Sequence, residues 1–201
     1  MQVIASSLGV SCNYCHAQRD GPPAVTASGK PRQDVAREMI AMTRALNATV
    51  QAAAGKPANE TVSVQCVTCH RGVPIPRQLT DILWTTTVRQ GGSAAAVQYR
   101  ELRGQFYGKQ AYDFGEDALI LIASRIGQAR PEDAITLMDL NLEFFPRSAR
   151  SYITLAIAQS RRDEPAAIVS LKKALEIDPE NSDAKGRLFQ LEQIVERRQR
   201  K

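Results

Sequence analysis

All four cysteines of the chain fall into two pairs of one spacing, Cys12-Asn13-Tyr14-Cys15-His16 and Cys66-Val67-Thr68-Cys69-His70, and the only two histidines follow the second cysteine of each pair. Two thiols separated by two residues reach the two vinyl groups on one edge of a porphyrin and form thioethers. A histidine immediately after them lies under the iron and supplies the proximal imidazole. The pattern reads as two attachment sites for c-type heme: Cys12, Cys15, Cys66 and Cys69 carry two covalently bound cofactors, and His16 and His70 ligate the irons. Three other chemistries use paired cysteines. Structural zinc is complete with four thiolates and does not ask for a histidine after each pair. A thioredoxin-like motif needs a helix start after a strand, a setting neither pair has. Two short-range disulfides leave both histidines unexplained.

A proximal histidine leaves the distal iron position to a second histidine, a methionine or nothing. With both histidines spent, methionine or an open site remains, and the methionines are Met1, Met39, Met42 and Met138. Val35, Met39, Met42 and Leu46 recur at helical spacing and form one apolar face of a helix expected from Asp34 to Leu46. On a generic helix such methionines fill a core; in a diheme module the object they must cover is a porphyrin. Met1, Ile4, Ala5 and Leu8 share a second helical face, which Gly9 ends just before Cys12. Each motif is thus preceded by a helix bearing methionine and by a turn.

These strings resemble the cytochrome subunit bound to photosynthetic reaction centres of purple bacteria. The likeness lies in Ser7-Leu8-Gly9-Val10-Ser11-Cys12 through His16, in Ala36-Arg37-Glu38-Met39-Ile40-Ala41-Met42-Thr43-Arg44-Ala45-Leu46-Asn47, and in Cys66 through His70 with Arg71-Gly72-Val73-Pro74, and it covers residues 1 to about 80. It implies that a methionine from the helix before each motif closes the heme, which falls here on Met1 and Met39, with Met42 as the neighbour. The family carries four hemes in two pairs, whereas this chain has residues for one pair. A histidine that closes one family heme has no counterpart between Asn47 and Cys66, and the C-terminal half is foreign to the family. The chain is more similar to shorter diheme relatives.

The elements that must position these residues are expected to be helical, since alanine and leucine are frequent and aromatic residues make up only 5%. Pro74-Ile75-Pro76 closes the heme module, which is placed at residues 1–80. A linker through Gly91-Gly92-Ser93 is expected over 81–92. Helices follow over Ser93 to Gln105 and Phe114 to Ile126. Beyond them Ala134 pairs with Ala167, Met138 with Leu171, Asn141 with Ala174 and Pro146 with Pro179, all 33 residues apart. That period is close to the tetratricopeptide repeat, which Lys173-Ala174-Leu175-Glu176-Ile177-Asp178-Pro179 resembles, although a Trp-x-x-Leu-Gly opening is missing. Residues 93–201 are therefore expected to form a tetratricopeptide-like α-solenoid with a C-terminal capping helix from Ser182 to Arg198. The fold class is all-α: a small diheme module, then the solenoid.

Lysine and arginine total 26 against 21 acids, a net charge of +5 with no basic run before Arg197 to Lys201, so nucleic acid is not demanded. The longest apolar run, Ala118 to Ala123, is far short of the ~20 residues of a membrane-spanning helix. Heme is attached to this motif outside the cytoplasm, so the chain is expected to be exported, periplasmic or extracellular, with its leader removed or omitted. The first functional expectation is an electron-transfer protein whose repeat domain docks a redox partner or further copies of itself, in the latter case as an oligomer or filament. The docking groove is expected along Asp117 to Ile126 and Tyr152 to Gln159. The alternatives are a heme peroxidase or gas sensor with one open iron site, and a scaffold in which the hemes are structural.

Overall fold

The computed structural model describes residues 1–17 and 21–200, so Lys201 of the basic terminus lies outside the described residues. The secondary structure is helical, with an isolated bridge between Val25 and Pro31 as the one extended pairing among the described residues. The all-α expectation holds. The chain divides into two compact units: Met1–Pro76 with Gly108–Ala111, and Arg77–Tyr107 with Tyr112–Lys201.

The first unit contains α1 (Gln2–Leu8), a 3-10 turn at Cys12–Tyr14, α2 (Arg32–Ala54), a second 3-10 turn at Ala58–Glu60, and α3 (Cys66–His70). α1 ends at Gly9, whose φ of 65° is left-handed, with the amides of Gly9 and Val10 returning to the carbonyls of Ser6 and Ala5. A side chain is excluded there for a second reason: a Cβ on Gly9 would lie 2.2 Å from the carbonyl oxygen of Gly72. That close approach lets the Gly72 amide donate to Ser7 O at 2.9 Å and ties α1 to the segment after the second motif. α2 outruns the expected 34–46 helix because alanines continue the pattern, with no breaker before the left-handed Gly55.

This unit lacks an apolar core of its own. Among the described residues from Met1 to Pro76, only Ser7 and Val73 are buried. α2 runs for 23 residues without burying one, and the expected apolar face leaves Met39, Met42 and Leu46 each at least 41% exposed. Chains this poor in apolar burial hold together through cofactors, metals or disulfides, and all four cysteines are free.

The second unit is conventionally packed. It comprises α4 (Leu79–Gln90), α5 (Gly92–Phe106), α6 (Asp117–Ile126), α7 (Pro131–Phe144), α8 (Ala149–Gln159), α9 (Glu164–Ile177) and α10 (Ser182–Gln199). From α6 onward each helix packs against the next. Leu83, Tyr99, Leu119, Leu137 and Met138 are wholly buried in its larger core, each apolar side chain contributing roughly 1.5–3 kcal/mol. Burial raises the pKa of the Tyr99 phenol, and the Arg103 guanidinium beside it opposes the rise.

The 33-residue offset is structural: α7 and α9 start 33 residues apart, and so do α8 and α10. Ser148 and Asn181 occupy the same cap position, each side chain accepting from the backbone amide three residues on. Ala134 and Ala167, Met138 and Leu171, and Asn141 and Ala174 are all buried at matching places.

One expectation is corrected. The segment 81–92 is not a linker, because most of it is α4, which buries Leu79, Leu83 and Thr87 on one face. Its β-branched run survives in a helix because the hydroxyls of Thr85 and Thr87 donate to the carbonyls of Asp81 and Leu83, four residues back. The stretches from Asp117 to Ile126 and from Tyr152 to Gln159 are each two-sided, with Leu121 and Ile157 exposed on the faces that do not pack inward. On their inward faces α6 buries Ala118, Leu119, Ile120, Ile122, Ala123 and Ile126, and α8 buries Ser151, Ile153, Thr154, Leu155, Ala156 and Ala158.

Candidate heme site

The geometry of the second motif follows from three successive backbone events. Gln65 is extended, and its amide donates to Thr68 Oγ1, which starts the single turn of α3. At the other end Arg71 and Gly72 adopt left-handed conformations, with φ of 49° and 85°. The chain thereby doubles back and brings the carbonyl of buried Val73 to the His70 ring, whose Nδ1–H donates to it at 3.0 Å. Nδ1 as donor fixes the tautomer and leaves the Nε2 lone pair free for a metal.

The first motif is held by α2 instead of by its own backbone. The guanidinium of Arg32 lies 4.1 Å from the centre of the Tyr14 ring, and its Nη1 donates to Tyr14 O at 3.2 Å. The next residue, Gln33, has its side-chain amide 3.1 Å from His16 Nδ1. Further along α2, the Asn47 amide makes a two-way clasp with Val64: Nδ2 donates to its carbonyl at 2.8 Å, and Oδ1 accepts from its amide at 2.7 Å. One helix therefore grips the first motif at its start and the approach to the second motif near its end.

Between these attachments lies an apolar cavity of about 400 Å³, within the first unit. Cys15 reaches it from the first motif, Cys66 and His70 from the second, and Met39 from α2. Ile4 and Leu8 of α1 supply part of its apolar wall, and Arg32 is the one lining side chain with a permanent charge. Of the residues singled out in the sequence, Cys12, Cys69, His16, Met1 and Met42 are not among those that line it. Met1 stands at the start of α1, 77% exposed, and Met42 is 47% exposed. Met138 belongs to the core of the second unit. Arg32 also borders a second hollow of about 280 Å³ beside Asn13, Ala17 and Pro22.

These residues fit a covalently held porphyrin. The cavity is apolar, a thiol from each motif opens onto it, and one imidazole is oriented with Nε2 free. Arg32 lines the cavity with a cation that could pair with a propionate of a bound heme. The zinc alternative fits poorly: among the described residues no three His, Cys, Asp or Glu side chains cluster to hold a metal. Sequence reasoning did not assign roles to Arg32, Gln33, Asn47 and Val73. Only Asn47 and Val73 carried a hint, standing within the family-like strings.

Fold and site together define a c-type cytochrome. The family model described as the photosynthetic reaction centre cytochrome C subunit matches residues 9–110, about half of the chain, and the chain belongs to that family. A photosynthetic reaction center cytochrome c subunit from Rubrivivax gelatinosus (strain NBRC 100245 / IL144) is 34% identical over 85 residues, 41% of this chain. The chain covers 19% of the length of that relative. Membership implies covalently bound heme c. The family match also runs on through α4 and α5, past the limit near residue 80 that the motifs suggested.

Proposed function

We propose that this chain is an exported diheme c-type cytochrome that passes electrons between redox partners. The observation that carries the reading is the meeting of Cys15, Cys66, His70 and Met39 on one apolar cavity in a unit with almost no other interior. When bound, each heme supplies an iron that gains or loses a single electron. The chain's own residues do the rest. Cys12 with Cys15 and Cys66 with Cys69 anchor the two porphyrins, His16 and His70 ligate from the proximal side, and the apolar walls exclude water. Met39 closes the heme held by Cys66 and Cys69. Met1, on the α1 face it shares with Ile4 and Leu8, is assigned to the other.

The second unit is read as a tetratricopeptide-like docking domain, supported by the 33-residue offset of its last four helices. Its partner is a redox protein or another copy of the chain; a head-to-tail contact that does not close would give a filament. No helix among the described residues is long and apolar enough to cross a membrane. Export follows from the site of heme attachment. Sedimentation of the purified holoprotein separates self-association from a monomer that waits for a different partner.

Intact mass after acid denaturation tests the cofactor count: the expected result is the polypeptide plus two hemes, and a mass without added heme defeats the reading. A second reading, a peroxidase or gas sensor, draws on the 77% exposure of Met1 and its absence from the cavity lining. It requires carbon monoxide to bind one iron of the unmodified reduced protein, which two methionine-closed hemes would not allow.

A further inference from the structure

The two proximal histidines are oriented by chemically different partners. His70 uses a backbone carbonyl, that of Val73, which can only accept. The exposed ring of His16 has the side-chain amide of Gln33 as its one hydrogen-bond partner among the described residues, and the amide nitrogen is the atom that faces Nδ1. In that arrangement Gln33 Nε2–H donates, Nδ1 accepts, and the ring proton resides on Nε2, the nitrogen that an iron must take. Ligation through Nε2 moves the proton to Nδ1, which must then find an acceptor. A half-turn of the Gln33 amide presents Oε1 in the same place.

We propose that Gln33 is the positioning residue of His16, its amide donating to Nδ1 before iron binds and accepting from Nδ1–H afterwards, so that it sets the potential of the first heme independently of the second. This rests on the diheme reading above. Among side chains of this length a carboxylate only accepts and a lysine only donates; the amide does either within one volume. The placement is firm, because Gln33 sits in the first turn of α2 beside Arg32, which grips Tyr14 by ring and carbonyl. A stronger acceptor at Nδ1 makes the imidazole more basic and favours the ferric iron; a missing acceptor does the reverse. The second heme does not share this control, since a backbone carbonyl is untouched by side-chain substitution.

The test is an optical redox titration of the holoprotein and of Gln33→Glu and Gln33→Leu, after the mass of each confirms two hemes. Each iron takes up one electron from the mediated reductant. The expected result is a single wave that moves down in Gln33→Glu and up in Gln33→Leu while the other stays in place. Should Gln33→Leu fail to bind heme at Cys12 and Cys15, Gln33→Glu, which fills the same volume, carries the test alone. Two unmoved waves, or two waves that shift together as a charge acting through space would shift them, overturn the proposal and leave the diheme reading standing. Fewer than two hemes in the unmodified protein defeats that reading instead.

Discussion

Met39 and Met42 stand three residues apart on α2, yet only Met39 borders the cavity. Under the proposed ligation Met39→Ala lowers one of two midpoint potentials and opens that iron to carbon monoxide, because a thioether ligand raises the potential. Met42→Ala should do neither. Redox titration with and without carbon monoxide checks both variants, and the reverse outcome transfers the role to Met42. The thiols and imidazoles could be read from the sequence because their types are scarce and every one is spent in the same five-residue string. Arg32, Gln33 and Asn47 could not. They are common polar residues on an amphipathic helix, where solvent is the default, and each takes its role from a partner 17 or 18 residues away that no local periodicity encodes.

At the scale of elements, α2 is the member to which both motifs are fastened. Asn47→Ala leaves the half-buried amide and carbonyl of Val64 to water and should cost about 0.5–1.5 kcal/mol, read as a lower thermal midpoint and faster proteolysis between residues 55 and 65. Two glycines of the second unit offer a paired test. A Cβ on Gly92 would lie 2.8 Å from the backbone of Asp133, whose carboxylate accepts from the Gly92 amide, so Gly92→Ala should destabilise the packing of α5 on α7. Gly186, within α10, has nothing within 4 Å of such an atom, and Gly186→Ala should stabilise by roughly 0.5–1 kcal/mol. Calorimetric melts of the two variants should move in opposite directions. The helices of the repeat were legible because buried alanines and closing prolines recur at a fixed interval. α4 was hidden because Thr85, Thr86, Thr87 and Val88 disfavour helix locally, while burial of Leu79, Leu83 and Thr87 overrides that preference.

For the molecule as a whole, the two units differ in what holds them. The second has its own interior, with Leu83, Leu119, Leu137 and Leu171 almost wholly enclosed; the first has a cavity where an interior should be. A variant with all four cysteines changed to serine should therefore lose the helical signal of α1 to α3 and keep that of α4 to α10. Limited proteolysis should trim it to a resistant fragment beginning near Arg77, whereas the holoprotein should resist in both units. A heme-free chain that remains resistant from Met1 onward would contradict this account. Should that fragment be found, a molecule that misses its porphyrin would present residues 1–76 as an open segment to proteases. The steady-state level of the protein should then follow heme supply even at constant transcription, so that unfinished copies are cleared without a dedicated sensor to recognise them.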